Sequence, residues 1–334
     1  MSSELRITSK YDLKKILQDN IIHSDVILEN DIDFKGEKIR GASEIIGDFY
    51  GNGNKIKNIN IVCDGEKDSG LFLNNYGTIE NLIIVNSKVT SNFRSGLITS
   101  KNNGTIRDCK IINSTAHGQE QVGGITGMNK GTVDNCSVRN TSIIKAKISG
   151  GLVGHNFDGK IVDCSFDGEL ESDFNDCGGI SGINNGIINS SVVSGTVRGE
   201  ERVGGITGNN IGDIIYCKSK GEVEGKKTVG GVVGINKSRG ALYKSSNNST
   251  VQSSEKTNER GIIRNFLSNS NKERKIGEVV GFNKRQGTIE NCYWVKGNNN
   301  LKGIGVSYSN VCDEEVEEVK RNSKVDSHII VDEI

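Results

Sequence analysis

Aliphatic side chains return at fixed distances after a glycine along most of this chain. Two residues past Gly77, Gly104, Gly131, Gly159, Gly186, Gly212, Gly240 and Gly287 stand Ile79, Ile106, Val133, Ile161, Ile188, Ile214, Leu242 and Ile289. Five residues past the same glycines is a column of smaller volume: Leu82, Cys109, Cys136, Cys164, Ser191, Cys217, Ser245 and Cys292. Seven past come Ile84, Ile111, Val138, Phe166 and Val193. A strand turns alternate residues to one face. The step from the first column to the second breaks that parity and predicts a bend at Asn81, Asp108, Asn135 and Asp163. A further apolar set (Val89, Ala116, Ile143, Leu170, Val197, Val223) leads back through Val122, Cys177, Val203, Val229 and Ile276 to a glycine pair. Each unit therefore reads as three short β segments joined by bends, too short and glycine-rich for a helix pair.

Aligned on the second glycine of that pair, the units begin at Gly70, Gly96, Gly124, Gly151, Gly179, Gly205 and Gly231, with a variant at Glu278. The intervals are 26, 28, 27, 28, 26 and 26 residues, then 47. Such a period marks an array in which one unit cannot bury its apolar face but stacked units can. Five residues after the aligned glycine sits an asparagine, giving Asn75, Asn129, Asn156, Asn184, Asn210, Asn236 and Asn283, with Asn102 in register after a one-residue slip. Asparagine followed by glycine predicts a turn in left-handed backbone. Asparagines stacked one coil apart can bond through their amides. Proline is absent from all 334 residues, as suits a chain hydrogen-bonded on both sides. The pattern predicts an all-β fold, a single-stranded right-handed parallel β-helix or solenoid of about ten coils of ~27 residues with a short N-terminal capping helix.

The string GGITGMNKGTVDNC, Gly123 to Cys136, and its relatives resemble the GLUG motif, a repeat of bacterial, often surface-associated proteins that include adhesin-like and peptidase-associated chains. The resemblance runs from Gly70 to Val295. It departs at Leu73 and Thr99, where later units have glycine, at Ser191 and Ser245 in the cysteine column, and at Glu278. It implies a β-solenoid and an extracellular or cell-surface location, and no one activity.

Charge changes the picture little. The 42 basic and 42 acidic residues balance, without the basic stripe that nucleic-acid binding calls for. Of eight cysteines, Cys109, Cys136, Cys164, Cys217 and Cys292 share one inward column, where free cysteine packs as a small hydrophobe. They are read as core, not as disulfides or metal ligands. There is no CxxC, and His23, His117, His155 and His328 are scattered, so neither a metal nor a cofactor is expected. The first twenty residues lack the apolar run of a signal peptide, and no segment is long and apolar enough to span a bilayer. Membrane insertion is not expected, and a cytoplasmic location stays open.

The chain divides into an N-terminal cap (1–25), opening degenerate coils (26–69), regular coils (70–245), an irregular coil or protruding insertion (246–276), a last coil (277–311) and an acidic tail (312–334). Ser9 to Gln18 reads as an amphipathic helix with Ser9 and Asp12 as a capping pair and Leu13, Ile16 and Leu17 on one face. Val26 to Phe34 reads as a first strand, and Gly51 and Gly53 as a turn, not a phosphate loop. The insertion is polar and basic at Arg260, Arg264, Lys272, Arg274 and Lys275; Trp294 falls in the column seven past the glycine, as a capping core residue. The tail is expected to begin as a small helix and to be mobile beyond Arg321.

Function is less legible. A rigid rod with repeated outward side chains suits a non-enzymatic, adhesin-like role toward a glycan or protein ligand, for which the repeat names no ligand-binding residues. The alternative is a carbohydrate-active enzyme, a polysaccharide lyase or glycoside hydrolase. It would need carboxylates grouped on one outer face. Asp108 and Asp163 share the bend column but alternate with Asn81 and Asn135, which fits hydrogen bonding along the stack. Glu80, Asp134, Asp173, Glu200 and Glu222 do not recur in one column, so no catalytic residue is assigned. The threonines after the turn glycine (Thr78, Thr105, Thr132, Thr288) are too interrupted for an ice- or mineral-binding array.

Overall fold

The structure, a computed structural model, describes residues 4–40, 42–62, 68–254 and 275–295, with the short stretches 301–302, 304–307 and 316–319. The chain is a parallel β-solenoid. One coil passes through Gln121–Gly123, Thr126–Asn129, Thr132–Asp134 and Ser137–Ile144. Each segment belongs to a different sheet, here called the short, ladder, flank and broad sheets, of seven, eleven, eleven and eighteen strands. Register follows the repeat: Val133 pairs with Ile106 before it and Ile161 after it, and Asn129 pairs with Asn102 and Asn156. Eleven rows at about 4.8 Å make a rod roughly 50 Å long.

The unit thus holds more than the three segments expected. The broad sheet takes two strands from most coils, such as Ile83–Val85 and Lys88–Thr90. Between them lies a second bend at Asn86, Asn113 and Asn140, with φ of 51, 51 and 46°. The short sheet is a separate wall. The first bend is where the parity argument placed it: Asn81, Asp108, Asn135 and Asp163 have φ of 53, 55, 47 and 51°. Asparagine and aspartate tolerate this left-handed conformation best, and their side chains can bond along the stack. Asn135 Nδ2 donates to Asp108 Oδ1 at 2.6 Å.

The asparagine–glycine turn does not use left-handed glycine. Only Gly36 and Gly53 among the described glycines have positive φ. The turn glycines stack so closely that a Cβ at Gly131 would lie 1.9 Å from the carbonyl oxygen of Gly104, and one at Gly186 would lie 2.0 Å from that of Gly159. Space, not φ, selects glycine there. The same holds for the aligned glycine of the pair, where a Cβ at Gly151 would meet the Phe166 ring at 2.4 Å. Glu278 departs from that glycine column; its buried carboxylate accepts from Asn247 Nδ2 at 3.2 Å. Thr99 pairs with Thr126, so Ser100 is the residue that replaces a glycine in its coil.

Inside, the apolar columns form one continuous core in which Ile79, Ile106, Val133, Ile161, Ile188, Ile214, Leu242 and Ile289 are all 0% exposed. The cysteine column adds hydrogen bonds to that packing. The Cys109 amide donates to Cys136 Sγ and the Cys136 amide to Cys164 Sγ, each at 3.4 Å. The Cys164 and Cys217 amides donate to Ser191 and Ser245 Oγ at 3.3 and 3.1 Å. Serine and cysteine interchange because either supplies the acceptor. Cys164→Ser is therefore expected to change stability by less than about 1 kcal/mol. Cys164→Val strands the Cys136 amide and should cost ~1–3 kcal/mol in denaturant titration. Burial pushes the Cys217 and Cys292 thiols up to about 12, which leaves them protonated and unreactive at neutral pH.

At the N-terminus Leu5–Ile7 already pairs in parallel with Val26–Leu28, a strand missed in the sequence reading. Helix α1 follows (Lys10–Ile16), with Ser9 as N-cap and the full Ser9–Asp12 capping box. Leu13, Ile16 and Leu17 join the core. Lys10 lies 2.8 Å from Glu37, and Lys14 also pairs with it; these two amines hold the Glu37 carboxyl down at about 2. The helix thus covers the first row of the broad sheet, an edge otherwise open to pairing. Val26–Leu28 and Ile32–Asp33 divide the single strand expected over 26–34. At the other end Val316–Val319 is a strand paired with Cys292–Val295, not the expected helix. Trp294 is partly buried against the core. Of the stretch 246–276, Ser246–Asn247 and Thr250–Ser253 are strands of the broad sheet and Lys275–Gly277 is a strand of the short sheet. Arg260, Arg264, Lys272 and Arg274, and the tail beyond Arg321, lie outside the described residues.

Candidate functional site

The eight asparagines lie in one file. Each Nδ2 donates to the next Oδ1, from Asn75 to Asn102 at 2.8 Å and on through Asn129, Asn156, Asn184, Asn210 and Asn236 to Asn283 at 3.0 Å. All eight are 0% exposed. Asn75 Oδ1, at the head of the file, has no donor, because the preceding residue in the column is Ile45. This ladder and the cysteine column are internal scaffolding, buried from solvent.

A further surface feature lies along the outer face of the ladder sheet, at positions that the repeat pattern does not single out. Between the short and ladder sheets the chain turns back on itself. A Cβ at Gly154 would sit 2.6 Å from the Gly127 carbonyl oxygen and 2.8 Å from the Val122 nitrogen, so the corner is floored by backbone. Two outward columns face each other across that corner. The short sheet contributes Arg94, Gln121, Ile148, Asp176, Arg202, Thr228 and Lys275 in register. The ladder sheet contributes Lys101, Met128, His155, Ile183, Asn209, Ile235 and Phe282.

Contacts across the corner show that the columns meet. Asp68 holds Arg94 at 3.0 Å and Lys101 at 3.4 Å, and Lys275 Nζ stands 3.5 Å above the Phe282 ring. The result is a re-entrant corner that repeats along the rod and is called the groove below. Its ladder-sheet column starts beside a cleft of about 680 Å³ lined by Lys14, Gln18, Arg40, Glu44 and Asn74.

The groove is mixed in chemistry. His155 Nε2 donates to Asn185 Oδ1 at 3.0 Å and its ring packs edge-on to Phe157, with centroids 5.4 Å apart; Lys130 Nζ lies 5.2 Å above the same Phe157 ring. Burial lowers the His155 pKa, so the ring is neutral at pH 7. Asp176 binds Arg202 through both carboxylate oxygens, at 2.5 and 2.9 Å. Two acceptors, Gln121 Oε1 and Asn209 Oδ1, are buried without a protein donor, and Asn209 is only 5% exposed. A buried acceptor without a donor costs free energy that a ligand hydroxyl or amide can recover. A signal for this site was present in the sequence at four residues past the aligned glycine, where Met128, His155, Ile183, Ile235 and Phe282 stand.

Three of the outward carboxylates are engaged in structure. Glu80 pairs with Arg107 at 2.6 Å, Glu222 with Arg198 at 2.7 Å, and Glu200 with Lys226. Among the described residues no cluster of three or more His, Cys, Asp or Glu is arranged to hold a metal ion. Asp108 serves the bend, so Asp108→Asn is expected to leave the melting temperature unchanged. Asp108→Ala should cost ~1–2 kcal/mol for a non-glycine residue held at positive φ. A melting series of the two variants checks this.

No family model matches the chain, and no curated protein matches it. Among solved structures the chain is similar to one described as a "putative immunoglobulin A1 protease from Bacteroides ovatus", at 18% identity over 91% of this chain and 84% of that one, with a TM-score of 0.43. At that level the likeness carries no functional argument.

Proposed function

We propose that this chain is a non-enzymatic, adhesin-like solenoid that holds a glycan or protein ligand along the groove between its short and ladder sheets. One observation carries the reading: the two columns stay in register along the regular coils and bring Met128, His155 and Ile183 alongside Gln121 Oε1 and Asn209 Oδ1, two acceptors that lack donors. Long shallow surfaces of this kind suit extended ligands and give little shelter to a reacting bond. The resemblance of the repeat to the GLUG motif supports the same class and a cell-surface setting.

The test is a glycan and host-protein binding array on the purified chain, repeated with Phe157→Ala and Met128→Glu. Loss of a binding signal in these variants at unchanged melting temperature supports the groove. A signal that survives both removes it. The second reading, a carbohydrate-active enzyme, has in its favour a cleft of about 440 Å³ on the broad sheet that contains Asp167 and Glu169. A glycan-cleaving rate abolished by Asp167→Asn and Glu169→Gln would establish that reading instead.

A further inference from the structure

The turn that follows each ladder asparagine changes character at the end of the rod. In six coils it is one or two residues: Tyr76, Asn103, Lys130, Phe157 with Asp158, Asn185 and Ile211. In the last two it is three, Lys237-Ser238-Arg239 and Lys284-Arg285-Gln286. Both longer turns are closed by the same bond, Gly240 N to Lys237 O at 2.7 Å and Gly287 N to Lys284 O at 2.9 Å. Asn236 pairs with Asn283, so the two turns stack in register and bring four cations to one corner.

None of the four makes an ion pair among the described residues, whereas Arg94, Arg107, Lys147, Arg198, Arg202, Lys226 and Lys227 all do. The nearby acid Asp176 is already committed to Arg202. Burial, then the charge of Lys284, depresses the Lys237 pKa, and Asp176 offsets this only in part. Four cations at one corner without a paired acid among the described residues form a local positive potential that favours an anion.

We propose that the stacked turns carrying Lys237, Arg239, Lys284 and Arg285 form a site for an acidic glycan, whose carboxylate or sulfate groups lie on these cations while the chain continues along the groove. This rests on the groove reading above and names the ligand class for it. Spacing favours a glycan over an acidic polypeptide. Successive coils repeat about every 4.8 Å, whereas an extended peptide advances about 3.3 Å per residue. A pyranose chain advances by close to one coil per ring, so successive acidic sugars can meet successive turns. Asn209 Oδ1, whose residue pairs in the ladder sheet with Ile235 two residues before Lys237, is an acceptor suited to a sugar hydroxyl.

The experiment is calorimetric titration of the full chain with polygalacturonate oligomers, chondroitin sulfate oligomers, a neutral cello-oligosaccharide and poly-glutamate. Each is run with the wild type, with Lys237→Glu/Lys284→Glu, and with a control reversal on the broad sheet, Lys110→Glu/Arg139→Glu. The expected result is binding of at least one acidic oligosaccharide that weakens with salt. It falls at least tenfold in Lys237→Glu/Lys284→Glu and less than twofold in the control, at equal melting temperature. Equal loss in both reversals, or tighter binding of poly-glutamate, overturns the proposal. Binding of the neutral oligosaccharide that ignores Lys237→Glu/Lys284→Glu overturns it while leaving the groove reading standing. No binding by any probe, together with an empty array, overturns both.

Discussion

Asn129→Ala is expected to cost about 3–4 kcal/mol, and Lys130→Ala beside it about 0.5 kcal/mol or less. Asn129 is 0% exposed, and its Nδ2 donates to Asn156 Oδ1 at 2.9 Å, Gly131 O at 3.1 Å and Lys160 O at 3.3 Å. Its Oδ1 accepts from Asn102 at 2.8 Å. Truncation removes all four bonds and leaves the buried Asn156 Oδ1 without its donor. Asn102 keeps two carbonyl partners, Gly104 O and Thr132 O, so the loss there is smaller. Lys130 gives up only an exposed approach to the Phe157 ring. Denaturant midpoints of the two variants decide the matter, and similar midpoints would remove the ladder as a source of stability.

Gly131→Ala is expected to be at least as damaging, about 4 kcal/mol or more, for a steric reason. The added methyl would lie 1.9 Å from the Gly104 carbonyl oxygen and 2.9 Å from two backbone carbons of the coil before it. No side chain is available to swing aside, so two rows of backbone must separate. Gly53→Ala is the contrast: nothing lies within 4 Å of a Cβ there, and φ is 74°. Its cost should be limited to the left-handed conformation, ~1–2 kcal/mol. Thermal melts of the pair test whether crowding or conformation governs each site. A melt for Gly131→Ala no lower than that for Gly53→Ala would refute the stacked-glycine account.

The solenoid was legible because its determinants are repeated. The two columns on either side of the bend are each sampled eight times, so a parity break at Asn81, Asp108, Asn135 and Asp163 stands out even without coordinates. The resolution of that reading failed where two causes select the same residue. Asparagine–glycine suggested a left-handed turn, yet the glycine is there for closeness and the asparagine for its amide. The segment count failed because a bend at Asn86, Asn113 and Asn140 separates strands that remain in one sheet.

The groove was not read because its columns vary. Arg94, Gln121, Ile148, Asp176 and Arg202 share a position without sharing a chemistry, as expected of positions that the apolar core does not constrain. It depends on a re-entrant corner that no local pattern announces.

The one-way sense of the asparagine file has a consequence for size. Every interior repeat presents an amide oxygen toward the amino-terminal neighbour and an amide nitrogen toward the carboxy-terminal one, while Asn75 Oδ1 marks a terminus against Ile45. Duplication of a whole repeat between two coils would therefore restore each bond it interrupts, and a fractional insertion would not. A gene built this way can lengthen or shorten its product by integral steps at little thermodynamic risk, so the reach of the rod is a quantity evolution can adjust independently of its cross-section.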